Sequence, residues 1–195
     1  MNAFSHVPFF APKKRKKENS MSEMNLDLID QMYASRESTI ARDLKLNLKR
    51  LLGESQLSAE EALLTLLATA QSAGATQLVE FSKTQLTAAG VSAEHILEAQ
   101  ESAAIMGMLN VYYRTKHFLH QDEEYKSAGL RMTALARPAL GKERFEMLAF
   151  AVSCIGACEM CVTSHEKVLR GHGVSVDKIH DLIRMAAVVK GLSAL

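Results

Sequence analysis

Apolar and charged residues mix at helical spacing from Leu26 to Leu52, where Leu44, Leu48 and Leu51 fall on one side and Gly53 offers an end. Ser58 followed by Glu61 forms a capping-box pattern that opens a second run, Ala59 to Ser72. Ala73-Gly74-Ala75 breaks or tightens the chain before a third run, Val79 to Ala89. After the turn Gly90-Val91-Ser92, with Ser92 as N-cap, a long helix is predicted from Ile96 to Tyr113, ending between Arg114 and Gln121. Between Lys126 and Leu140, Pro138 disfavours helical angles at Arg137, so this stretch reads as a connection or a short helix. A further helical unit starts around Lys142. No segment shows the alternating strands and repeated turns of a sheet. The predicted fold class is all-α.

The pattern also repeats. A shift of 83 residues lays Glu60 to Met108 onto Glu143 to Gly191. Gly90-Val91-Ser92 then falls on Gly173-Val174-Ser175, Ile96 on Ile179, and Ala103-Ala104 on Ala186-Ala187. Two such units can bury their apolar faces against each other, which predicts two related helical halves packed into one domain. The halves run approximately over 45–125 and 140–195, within a domain of 21–195.

Composition agrees with this picture. A chain of 195 residues with 48% hydrophobic content can fill one core, and 23% charged residues argue against disorder away from the ends. The net charge of +1 conceals a basic start. Lys13, Lys14, Arg15, Lys16 and Lys17 stand against Glu18 alone within residues 1–20, leaving −3 for the remainder. The folded part therefore gives no reason to expect nucleic-acid binding. Residues 1–20 read as a disordered basic extension; the PKKRKKE run resembles a nuclear-import signal, but a solvated tail is the simpler and favoured reading. No secretory signal is visible, and the longest apolar segments, Ala62–Ala70 and Met147–Ala157, are too short to span a bilayer. The expected location is the cytoplasm, without a membrane.

All three cysteines lie within eight residues in CIGACEMCVTSHEKVLR. If Ala149 to Arg170 is one helix, Cys154, Cys158, Cys161 and His165 follow at steps of 4, 3 and 4 and share a face. Cys158 and Cys161, three residues apart, can close a small disulfide and exchange electrons with a peroxide or another thiol. His165, one turn past Cys161, can take its proton or stabilise its thiolate. Cys154 reads as a small buried hydrophobe, Glu159 as a solvated surface group and Glu146, taken alone, as a surface carboxylate. Zinc is the chemical rival, since the same stretch holds a Cys3His inventory. Four side chains on one continuous helix cannot readily surround a tetrahedral ion, however.

The pattern Glu146–x11–Cys158–x2–Cys161–x3–His165, followed by EKVLRGHGVS and an Ala-rich last helix, is far more specific than the cysteine pair alone. With IMGMLNVYYR at Ile105 to Arg114, it resembles the alkyl hydroperoxide reductase AhpD family, within the carboxymuconolactone decarboxylase-like superfamily. The resemblance covers most of Leu44 to Leu195.

It implies an all-helical protein of two related halves, usually a homotrimer. The implied activity is a lipoyl-dependent peroxidase that reduces organic hydroperoxides, or passes electrons from a dihydrolipoyl-bearing protein to a peroxiredoxin of the alkyl hydroperoxide reductase type. No tightly bound cofactor is implied; dihydrolipoamide or a protein-bound lipoyl group is the expected reductant. Cys161 matches the cysteine that attacks peroxide, Cys158 the resolving cysteine, and Glu146 and His165 the proton relay. One departure is Met160, where the family motif has a histidine before the second cysteine. Methionine cannot transfer a proton, so this predicts weaker direct peroxidase activity with electron delivery retained. A redox-sensing helical interaction protein and a cysteine-independent lyase of the same superfamily are the alternative readings.

Overall fold

A computed structural model describes residues 24–120 and 124–195. The expected extension over residues 1–20 lies outside the described residues. Eight α-helices and one short 3-10 turn make up the described chain: α1 Asp27–Met32, α2 Thr39–Glu54, α3 Ala59–Ala73, α4 Thr76–Ala88, α5 Ala93–Leu119, the 3-10 turn Thr133–Ala136, α6 Lys142–Gly156, α7 Glu159–Gly171 and α8 Val176–Leu192. No strand occurs among the described residues. The all-α class is as expected, and none of these helices is long and apolar enough to cross a membrane.

The two longest apolar runs become the two central helices. Ala62 to Ala70 in α3 and Phe145 to Ser153 in α6 are buried without interruption, as a helix must be when it is apolar on every side. α3 and α6 pack against each other; α5 crosses both, α8 crosses both, and α4 and α7 flank α3 and α6 respectively. Helices beginning at 59, 76 and 93 in the first half are matched by helices beginning at 142, 159 and 176, each 83 residues on.

Serine caps set three of these starts, at 59, 93 and 176. The Ser58 hydroxyl accepts the Glu61 N–H at 3.2 Å while the Glu61 carboxylate accepts the Ser58 N–H at 2.8 Å, completing the capping box. At α5 and α8 the Ser92 and Ser175 hydroxyls accept the His95 and Lys178 N–H groups, each a simple serine cap. The Gly-Val-Ser turns also match: Gly90 and Gly173 adopt φ of 77° and 81°. The following Val91 and Val174 donate back to Leu86 and Leu169, a closure that needs a left-handed residue and so suits glycine.

Two boundaries differ from the sequence reading. The run expected as one helix from Leu26 to Leu52 is divided, because the chain leaves the helix at Tyr33 and Ser38 starts another by accepting the Ala41 N–H. Gly53 does not end α2, which continues to Glu54. Among its described residues the connection between the halves carries only the 3-10 turn, and it is tied down by Glu98, whose two carboxylate oxygens accept the Ala139 and Leu140 N–H groups at 2.8 and 2.6 Å.

Glu61 also joins the halves, accepting from Lys178 Nζ of α8 at 2.6 Å. Burial alone would raise its carboxyl, but Lys178 and Ser58 outweigh burial and hold it below its ordinary 4.5. A depressed native value stabilises the fold above the ordinary value, and that stabilisation is lost as pH falls through the native one. Replacing Glu61 with Gln should therefore cost about 1–2 kcal/mol at neutral pH. The gap to wild type should close in acid below 4.5, as checked by urea unfolding at several pH values. A gap independent of pH contradicts the assignment.

Candidate functional site

The four predicted site residues come from two adjacent helices, α6 and α7, and the intervening corner. The corner is the main correction to the sequence reading. Ala149 to Arg170 is not one helix: α6 stops at Gly156, Ala157 adopts left-handed angles (φ 49°, ψ 41°), and α7 starts at Glu159. Cys158 is the extended N-cap residue of α7, not a position inside a helix. The single-face argument for Cys154, Cys158, Cys161 and His165 therefore fails, and so does the geometric ground on which zinc was set aside. Cys158 and Cys161 instead bond to each other, with Cα atoms 5.2 Å apart. Among the described residues, no three His, Cys, Asp or Glu side chains converge as metal ligands.

Cys158 is fully buried and Cys161 nearly so. The Cys161 N–H donates to Cys158 Sγ at 3.3 Å, so sulfur takes the place that a serine hydroxyl holds at the other caps. A backbone donor that the helix leaves free at its start favours negative charge, here a thiolate on Cys158 once the pair is reduced.

Glu146 lies on α6, buried rather than on the surface, and meets His165 of α7 with Oε2 2.6 Å from Nδ1. Burial pushes the Glu146 carboxyl up, but the bond and charge of His165, with Lys142, outweigh it and hold the carboxyl below its ordinary 4.5. An ionised carboxylate only accepts, so Nδ1 carries the proton in this contact. In the neutral ring that leaves Nε2 as the basic nitrogen. On α7, His165 sits one turn after Cys161, on the same side. Lys142 Nζ lies 3.5 Å from Glu146 Oε1 and also donates to the Leu135 carbonyl at 3.1 Å. The sequence reading missed Lys142, though its position four residues before Glu146 on one helix was a usable signal. It also missed Asn110 and Arg114 of α5, which bond to the end of α6.

Glu159 is exposed as expected, with His117 Nε2 of α5 at 3.8 Å. Met160 is partly exposed. Cys154 is half-buried and unpaired, less enclosed than the sequence reading had it.

Proteins of other organisms fix the family. A relative from Frankia alni, alkyl hydroperoxide reductase AhpD, is 46% identical over 156 residues, covering 78% of this chain and 83% of its own length. The chain belongs to the AhpD family. Alkyl hydroperoxide reductase AhpD proteins from Streptomyces coelicolor and Rhizorhabdus wittichii are 43% and 39% identical, covering 78% and 80% of this chain and 85% and 90% of theirs. Residues 126–195 also match the carboxymuconolactone decarboxylase family, which places the cysteine pair inside the matched region. Membership of the AhpD family and the bonded cysteine pair together make this protein a thiol-based oxidoreductase.

Burial raises the third thiol, Cys154, from 9.0 to about 11, with a backbone hydrogen bond opposing the shift. Two pH units leave roughly a hundredth of the thiolate of an ordinary cysteine at neutral pH. In the native, reduced protein, iodoacetamide should therefore label Cys154 about a hundredfold more slowly than a free thiol. Labelling at the free-thiol rate, followed by mass spectrometry, contradicts this.

Proposed function

We propose that the protein reduces organic hydroperoxides at the Cys158–Cys161 pair and delivers electrons from a dihydrolipoyl group, directly or through a peroxiredoxin partner. The observation that supports this most is the 2.6 Å contact between Glu146 and His165, one helical turn beyond a cysteine pair at bonding distance.

In the proposed sequence His165 Nε2, held basic by Glu146 on Nδ1, withdraws the proton of Cys161. The Cys161 thiolate attacks the distal oxygen of ROOH. The O–O bond breaks, ROH leaves with the proton returned by His165, and Cys161 becomes a sulfenic acid. The Cys158 thiol then attacks that sulfur, releasing water and closing the disulfide. A dithiol such as dihydrolipoamide restores both thiols and leaves as its own disulfide. One hydroperoxide and two thiol hydrogens thus give alcohol, water and one disulfide. In delivery to a peroxiredoxin, the reduced pair attacks the peroxiredoxin disulfide instead. Cys158, capped by the Cys161 N–H, is the better leaving thiolate during its reduction. Met160 supplies no proton, which favours delivery over direct peroxide turnover. The reading includes a cytoplasmic homotrimer with no tightly bound cofactor.

Hydroperoxide-dependent oxidation of dihydrolipoamide, with and without an alkyl hydroperoxide reductase peroxiredoxin, tests it. Wild-type turnover should vanish in Cys161→Ser. Cys158→Ser should stall after one turnover with a trappable sulfenic acid, and multiple turnover by that variant contradicts its resolving role. Turnover retained after replacing both cysteines removes the dithiol from the chemistry, and disulfide formation without turnover points to a sensor.

Glu146→Gln should slow peroxide-driven oxidation of Cys161 by about tenfold or more at neutral pH. Because the Glu146 carboxyl titrates below its ordinary 4.5, the wild-type advantage should persist through neutrality and fade only in stronger acid. An equal rate in both proteins at neutral pH contradicts the relay.

A further inference from the structure

The corner before Cys158 is built differently from its counterpart in the first half. Eighty-three residues earlier the same turn is made by Gly74, with φ of 73°. Both turns close through the same backbone bonds. Gly74 N–H donates to Gln71 O at 3.3 Å and Ala75 N–H to Ala70 O at 2.9 Å; Ala157 N–H donates to Cys154 O at 3.3 Å and Cys158 N–H to Ser153 O at 3.4 Å. Glycine makes this turn freely, whereas Ala157 carries a Cβ into left-handed space, which is costly.

The second corner has something to hold it there. Asn110, buried on α5, donates from Nδ2 to Val152 O at 3.4 Å and accepts the Ser153 hydroxyl at 3.0 Å. Arg114, one turn further along α5, donates to the Gly156 carbonyl, the last residue of α6. The Gly156 carbonyl is one of the last four of α6, which the helix itself leaves unpaired. The fit leaves no slack, since a Cβ at Gly156 would come within 2.5 Å of Asn110 Nδ2 and 2.9 Å of its Cγ. Both side chains come from IMGMLNVYYR, a stretch that the proposed chemistry does not otherwise use.

We propose that Asn110 and Arg114 are positioning residues for the dithiol: by clamping the last turn of α6 they fix the left-handed Ala157 corner that makes Cys158 the cap of α7. The clamp then sets the redox balance of the pair. Reduction by a dithiol R(SH)2 breaks the Cys158–Cys161 bond, moves two electrons and two protons to the protein and leaves R as its disulfide. Any Cys158 thiolate formed is stabilised by the Cys161 N–H and the start of α7 only while Cys158 stays at the cap. Losing the clamp withdraws that stabilisation from the reduced form and makes the pair more strongly reducing. The inference rests on the Cys158–Cys161 pair being the redox site, and not on peroxide, the Glu146–His165 relay or a particular partner.

The test uses the full chain equilibrated in lipoamide/dihydrolipoamide mixtures, with the disulfide fraction read by thiol trapping. Asn110→Ala and Arg114→Met should shift the equilibrium toward the disulfide by about tenfold, or about 30 mV more negative. Arg114→Lys, which keeps charge and a donor, should stay within about twofold of wild type. In a Cys161→Ala background, the midpoint of the pH-dependent alkylation of Cys158 should rise with Asn110→Ala and Arg114→Met. Cys154 stays silent there because burial keeps it protonated to about 11.

Variants that keep the wild-type circular dichroism and cooperative melting, yet show unchanged equilibrium and midpoint, overturn the proposal. If Asn110→Ala or Arg114→Met fails to fold, Ser153→Ala and Gly156→Ala disturb the same contacts and should give the same shifts, and their absence overturns it equally. Shifted variants with no wild-type peroxide turnover would tell against the proposed function and leave the clamp standing. Unshifted variants in an active peroxidase would do the reverse.

Discussion

The left-handed corner at Ala157 separates a helix that happens to contain cysteines from a helix that starts with one. Had α6 run on through residue 170, Cys158 would sit mid-helix with its neighbouring N–H groups spent on backbone bonds. Because the chain turns at Ala157, Cys158 becomes an N-cap and its sulfur receives the Cys161 N–H. The same break turns α7 back along α6, which brings His165 to Glu146 although they are nineteen residues apart. Thiol pair and acid–histidine pair therefore depend on one backbone feature.

A plainer corner stands at the equivalent place in the first half. The first half makes the same corner with Gly74 and follows it with Ala75 and Leu78, where the second half has Ala157, Cys158 and Cys161. The packing is alike in both halves, since α3 and α6 each hold an uninterrupted buried run and each packs against α5 and α8. The candidate site residues all lie in the second half. The two acids follow the same logic of compensation: Glu61 is half-buried and Glu146 buried, and each carboxyl is held below its ordinary value by a partner from another helix, Lys178 or His165.

Much of this was legible in the chain. Serine caps and Gly-Val-Ser turns marked helix starts, because they act through local bonds that span only three to five residues. The uninterrupted apolar runs at Ala62–Ala70 and around Met147 marked the central helices. The break at Ala157 was not read, since alanine is the best helix former, although Gly156 before it and the equivalent break at Gly74 were usable signals. Its cause is tertiary: Asn110 and Arg114 reach it from more than forty residues away. The split at Tyr33 escaped for a similar reason, with Ser38 capping a helix inside a pattern whose apolar spacing ran on. Glu146 looked like a surface acid by residue type and is buried only because α7 folds back over α6.

The most direct test of the dithiol as the peroxide-reducing centre adds one equivalent of an organic hydroperoxide to the fully reduced protein and maps the thiols by mass spectrometry. The predicted result is stoichiometric formation of the Cys158–Cys161 disulfide, release of one alcohol, and Cys154 left as a free thiol. Oxidation appearing first at Cys154, or a dithiol that stays reduced while peroxide is consumed, would contradict it.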